Sequence, residues 1–141
     1  MSRIVYLDHH ATTPCDPRVL EAMIPWFSER FGNASSRQHA LGRDAREASE
    51  HARRQVAALI NAAPRDLTFT SGATEGLNLA IKGLVASHRG EDLNVVVSSI
   101  EHAAVLDVCA ALARMDVETR LVPVDASGRV SCEAVMALVD E

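Results

Sequence analysis

The feature that most limits how this chain can fold is the regular alternation in its second half. Leu67-Thr-Phe-Thr70, Asn94-Val-Val-Val97 and Val117 to Val122 read as short strands. Helical periodicity fills Thr74 to His88, where Leu77, Leu79, Ala80, Ile81 and Leu84 are apolar, then Glu101 to Met115, then Ser131 to Glu141. Parallel strands need a long crossover, which a helix supplies, so this alternation predicts an α/β fold with a mainly parallel sheet. Three short strands make a small sheet, and the alternation stops in mid-pattern.

The first half reads differently. Ile4-Val-Tyr-Leu7 is a short extended piece, and a turn-rich stretch follows, ending in Pro14-Cys15-Asp16-Pro17. Asp16 then Pro17 is a helix start, a capping carboxylate followed by proline at the first helical position. This helix is expected to carry Val19, Leu20, Met23 and Phe27 inward, with Pro25 weakening or kinking it. Gly32-Asn-Ala-Ser-Ser36 breaks the pattern. A long helix is predicted from Leu41 to Asn61, with Leu41, Ala45, Ala48, Ala52, Val56, Leu59 and Ile60 as its apolar stripe. Ala63-Pro-Arg-Asp66 terminates it.

Composition narrows the function classes. At 141 residues the chain has room for one domain. Only 4% of residues are aromatic, so a core must rest on Ala, Val, Leu and Ile. A net charge of −5 argues against a nucleic-acid-binding surface. No window approaches the apolar length of a membrane span, and Asp8 interrupts the region where a secretory signal is apolar. Cys15, Cys109 and Cys132 form no CxxC and no zinc-type cluster, which points to a reducing cytoplasm. His9 and His10 alternate faces in an extended strand and do not read as a metal site. Lys82 is the one lysine, so it is the sole candidate for lysine chemistry.

Ligands of open α/β sheets sit beyond the carboxyl ends of strands, where helices begin. Two such junctions stand out. At Phe69-Thr-Ser-Gly-Ala-Thr-Glu75, free N–H groups and the helix dipole would make an anion site, most naturally for phosphate, with Thr74 adding its hydroxyl. The same residues also suit an ordinary turn capped by Ser71 or Thr74. At Val97-Ser-Ser-Ile-Glu-His102, Ser98 and Glu101 have capping-box spacing, and His102 falls in the first helical turn. An imidazole there can stack on a ring or move protons, or simply pack or face solvent. The polar Asn33 to His39 loop is either a binding loop or a capping loop. Cys109 reads as a buried small apolar residue, and neither Cys15 nor Cys132 has an evident partner base.

Tyr6-Leu-Asp8 with Ala11-Thr-Thr-Pro14 and Asp16-Pro17, Phe31-Gly-Asn33 with Ser36 and His39, Phe69-Thr-Ser-Gly-Ala-Thr-Glu75, Asn78-Leu-Ala-Ile-Lys-Gly83 and Glu101-His102-x-Ala104-Val-Leu106 together resemble the cysteine desulfurases. These are pyridoxal 5′-phosphate enzymes of the class V aminotransferase group, fold type I. The likeness runs in order from about residue 4 to residue 125, and it is closest to the branch that supplies sulfur for iron–sulfur clusters.

The resemblance implies part of a fold type I large domain, a three-layer α/β/α arrangement with an incomplete sheet in which residues 67–70 and 94–98 do not pair directly. Residues 1–16 would associate with the family's small domain and 17–141 would form the N-terminal part of its cofactor-binding large domain. Ala73 and Thr74 would hold the cofactor phosphate. His102 would stack on the pyridine ring and assist proton transfer, and Asn33 and His39 would lie near substrate or a dimer interface. Lys82 does not match the cofactor-bearing lysine. In the family that lysine, the pyridine-nitrogen aspartate, the sulfur-accepting cysteine and the substrate-carboxylate arginine come later than Glu141. Function follows as an expectation: sulfur removed from L-cysteine, alanine released, and the sulfur passed as a persulfide to an acceptor or iron–sulfur scaffold protein by a cytoplasmic homodimer. The isolated chain is expected to be inactive. Alternatives on the same scaffold are selenocysteine lyase or cysteine sulfinate desulfinase chemistry; a non-catalytic half-subunit that binds a partner is a third reading, and a stand-alone phosphate-binding α/β domain a fourth.

Overall fold

The computed structural model describes residues 4–88 and 91–139. The chain divides into two compact units, Met1–Thr68 and Phe69–Glu141.

In the first unit, Asp16 caps helix α1 (Pro17–Met23) as expected: its Oδ1 accepts the Arg18 N–H at 2.9 Å, and Pro17 opens the helix. Pro25 has no N–H to continue the ladder, so the chain breaks at Ile24 and restarts as α2 (Pro25–Ser28). The long helix α3 runs Ala40–Leu59. It closes with Asn61 in the left-handed region (φ 54°), the Asn61 N–H on the Ala58 carbonyl and the Ala62 N–H on the Ala57 carbonyl. That is a Schellman termination, with asparagine standing where glycine is usual. A single 3₁₀ turn, Pro64–Asp66, follows.

The loop before α3 lies against its first turn so closely that two glycines are needed. A Cβ on Gly32 would overlap the Leu41 carbonyl, and one on Gly42 would overlap the Ser36 carbonyl. Gly42, Ala45 and Ala57 are the buried residues of α3. The expected stripe therefore holds only in part, for Leu41, Val56, Leu59 and Ile60 are exposed. The expectation for α1 and α2 is also corrected: Val19, Leu20, Met23 and Phe27 are exposed, and neither helix buries a residue. Periodicity identifies an apolar face but carries no information about what covers it.

The second unit holds α4 (Ala73–Ser87), β1 (Asn94–Ser98), α5 (Ala103–Ala113), β2 (Glu118–Val122) and α6 (Cys132–Met136). Strands β1 and β2 pair in parallel, from Asn94 opposite Glu118 to Ser98 opposite Val122. Helix α5 is the crossover between them and packs on both β2 and α4. Its inner face buries Val108, Cys109 and Leu112, and Val122 is buried on β2. This is the predicted α/β pattern, with one correction. Residues 67–70 do not form a strand, so among the described residues the sheet has two strands and not three. A β-type sequence becomes a strand only when a neighbour supplies the ladder; here the Leu67 carbonyl instead accepts from the Arg53 guanidinium. The predicted helix from Ser131 is short, covering Cys132–Met136, and residues 140 and 141 lie outside the described residues. Among the described residues no helix is long and apolar enough to cross a membrane.

Candidate functional site

The start of α4 is built from its own sequence. Gly72 is the N-cap and offers no side chain, and nothing lies within 4 Å of where its Cβ would be. The first backbone bond of the helix runs from the Gly76 N–H to the Gly72 carbonyl at 3.0 Å. The amides of Ala73 and Thr74 come before it and have no acceptor within the helix. Neither Ser71 nor Thr74 caps the helix through its side chain, which corrects that expectation. The turn is braced from both sides instead. The Ser71 N–H donates to Glu75 Oε2 at 2.6 Å, the Thr70 hydroxyl to the Gly72 carbonyl at 3.1 Å, and the Asn78 amide to the Thr74 carbonyl at 2.9 Å. Ser71, through its side chain and its N–H, holds the Glu75 carboxyl below the usual carboxylate range. Glu75 reaches past the N-cap to the residue before it, so its carboxylate does not occupy the Ala73 and Thr74 amides. Those amides and the Thr74 hydroxyl are exposed at the positive end of a 15-residue helix. Such an arrangement fits a phosphate.

The second junction follows β1. Ser98 is the last strand residue, and its hydroxyl oxygen accepts the Ile100 N–H at 3.4 Å. The Ser98–Glu101 capping box does not form, because the helix starts later than that spacing assumed. His102 is the N-cap of α5, not a first-turn residue, and its Nδ1 accepts the Ala104 N–H at 3.1 Å. Ala73, Thr74 and His102 thus lie in one compact unit, at the N-terminal ends of two helices that pack on each other. A histidine just ahead of an alanine-rich helical run was the missed signal, hidden by the more familiar serine–glutamate spacing.

Asn33 and His39 belong to the first unit. Asn33 Oδ1 accepts the Ser35 N–H at 2.8 Å, and His39 Nδ1 accepts the Gly42 N–H at 3.1 Å as the N-cap of α3. The Arg46 guanidinium holds the Ala34 carbonyl through Nε and Nη2 at 3.1 and 2.9 Å. Lys82 is exposed on α4 and lines a separate cavity of about 440 Å³ with Val85, His88, Leu93 and Met115, a cavity that none of Ala73, Thr74 and His102 lines. Cys109 is buried and burial pushes its thiol pKa up, while Cys15 and Cys132 are exposed. Among the described residues no three or more His, Cys, Asp or Glu side chains are placed to hold a metal ion.

Comparison with known proteins extends this picture. Residues 5–141 match the family model for aminotransferase class-V proteins. The chain is 45% identical over 137 residues to cysteine desulfurase IscS of Anaeromyxobacter sp. (strain Fw109-5), covering 97% of this chain and 34% of that protein. It is 43% identical to the cysteine desulfurase of Homo sapiens, covering 97% of this chain and 30% of that one. Among solved structures, a NifS-like protein superimposes with a TM-score of 0.90 at 38% identity, covering 97% of this chain and 37% of the other. DndA from Streptomyces lividans superimposes with a TM-score of 0.78 at 39% identity, covering 96% and 38%. The chain spans about a third of the length of the curated relatives it matches.

Proposed function

The chain belongs to the class-V aminotransferase family, and from that premise we propose that it forms the N-terminal portion of a cysteine desulfurase. The whole enzyme takes sulfur from L-cysteine, releases alanine and leaves the sulfur as a persulfide on an enzyme thiol for delivery to an acceptor or iron–sulfur scaffold protein. Sulfur passes from substrate to thiol, so no external oxidant is needed. The observation that carries the reading is 45% identity to a cysteine desulfurase across 97% of the chain.

Within this reading the amides of Ala73 and Thr74 and the Thr74 hydroxyl hold the phosphate of pyridoxal 5′-phosphate. The open start of α4 supports this, since its donors have no intrahelical acceptor. When bound, the cofactor supplies an electron sink for cleaving the carbon–sulfur bond. His102, the N-cap of α5, would contact the bound cofactor and hold or move a proton. Lys82, in mid-helix on α4, and the buried Cys109 take no part. Residues 1–16 go with the family's small domain and 17–141 with its large domain, and the complete enzyme works as a homodimer.

The test has two parts. Alanine release from L-cysteine is expected when the chain is co-expressed with the complementary C-terminal portion of a related desulfurase, and not from the chain alone. Phosphorus NMR of pyridoxal 5′-phosphate with the reassembled protein should show a bound phosphate that weakens on Thr74→Ala. No alanine release with any complementary portion sinks the functional reading, and unchanged phosphate binding in Thr74→Ala sinks the site.

A further inference from the structure

Three histidines of this chain turn Nδ1 toward the backbone, and the groups they meet are of opposite kinds. His102 Nδ1 lies 3.1 Å from the Ala104 N–H. His39 Nδ1 lies 3.1 Å from the Gly42 N–H. His88 Nδ1 lies 2.9 Å from the Leu84 carbonyl oxygen and 3.0 Å from the Ser87 hydroxyl. A backbone N–H only donates and a carbonyl only accepts, while a neutral imidazole has one nitrogen of each type. The partner of one ring nitrogen therefore decides where the proton sits on the other.

We infer that His102 and His39 are locked as Nε2–H tautomers by the helices they cap, so that His102 presents a single exchangeable proton, at Nε2, to anything bound beside it. His88, facing a carbonyl, holds the opposite tautomer. The cap also sets the direction of the ring: turning His102 to offer Nδ1 to a ligand would strip the Ala104 amide of its acceptor. Both capping histidines are exposed residues, and the cap engages Nδ1 and not Nε2. A donor edge selects an acceptor atom, such as a carboxylate or ring-hydroxyl oxygen, and disfavours a ligand donor in that position. That chemical consequence rests on His102 being a site residue; the tautomer does not.

Nitrogen-15 NMR of the histidine rings in the full 141-residue chain, at about pH 8 where ordinary imidazoles are neutral, decides it. His102 and His39 should show a pyridine-type Nδ1 and a pyrrole-type Nε2, with His88 reversed as an internal control. A pyrrole-type Nδ1 at His102, or a fast average of the two forms, overturns the inference. Ala104→Pro removes the donor at a first-turn position that tolerates proline. It should move both His102 nitrogens toward the average and leave His39 unchanged; an unmoved His102 in a protein with an intact His39 signal also overturns it. In the protein reassembled with the complementary C-terminal portion, pyridoxal 5′-phosphate should then shift Nε2 of His102 and leave Nδ1 pyridine-type. A loss of that Nδ1 character on binding counts against the inference. Binding without any change at Nε2 counts instead against His102 as a site residue, while the unliganded spectrum still decides the tautomer.

Discussion

At the scale of single residues, much of this chain is governed by caps and close approaches. Asp16 and Ser131 cap helices as oxygen acceptors usually do, and His39 and His102 do the same with a ring nitrogen. The two best-contrasted glycines test how closely the backbone approaches. Gly42→Ala would drive a methyl group into the Ser36 carbonyl, and overpacking of this kind costs about 1–3 kcal/mol. Gly83, in the middle of α4, has nothing within 4 Å of a Cβ, so Gly83→Ala should stabilise by about 0.5–1 kcal/mol. Urea titration of the two variants should move the midpoint in opposite directions, and shifts of the same sign would contradict the packing described. Asp125 gives a pH prediction. The Arg129 N–H, then the Ser127 hydroxyl and N–H, bring its carboxyl from the ordinary 3.8 to about 2. A depressed carboxyl favours the folded state while it is ionised. Its contribution is present in full above the unfolded value of 3.8 and is lost as pH falls through about 2. Carbon-detected NMR titration of Asp125 should give a midpoint near 2, and one near 3.8 would mean that the turn is not held by those three donors.

At the scale of elements, α5 does the most. It makes the crossover that lets β1 and β2 run parallel, supplies Val108, Cys109 and Leu112 to the core, and presents His102 at its start. The cysteines report on that packing. A thiol reagent should modify Cys15 and Cys132 in the native chain and reach Cys109 only after unfolding, because burial both hides Cys109 and disfavours its thiolate. Three thiols reacting at one rate would show that α5 is not packed. Helices were legible from sequence where a cap marks the start, as at Asp16-Pro17, or where a long period runs, as through Leu41 to Asn61. Residues 67–70 were misread as a strand, since their composition suits one and only a neighbouring ladder could make it so. The Ser98–Glu101 pair was misread for a related reason. The spacing was right for a cap, but the ladder with β2 keeps Ser98 in strand β1 and delays the helix.

At the scale of the whole molecule, the two units are unequally cored. Among the described residues, Val108, Cys109, Leu112 and Val122 are buried in the second unit, whereas only the small residues Gly42, Ala45 and Ala57 are buried in the first. Burial of apolar area is the main favourable term in folding, so opening should be easier in the first unit. Hydrogen–deuterium exchange should protect β1, β2 and α5 well beyond α1 and α2, and equal protection of α1 and α5 would contradict this. Residue order alone specifies the α/β class, most helix positions, both candidate junctions and the family, because periodicity, caps and ordered motifs are local properties of the chain. Only the folded chain shows which apolar faces are covered, that residues 67–70 remain outside the sheet, that Glu75 braces Ser71 while the Ala73 and Thr74 amides stay open, and that His102 caps α5 through Nδ1. Each of these depends on which groups meet in space. A donor, an acceptor or a ladder partner acts only at contact distance, and the linear order of residues does not state that distance.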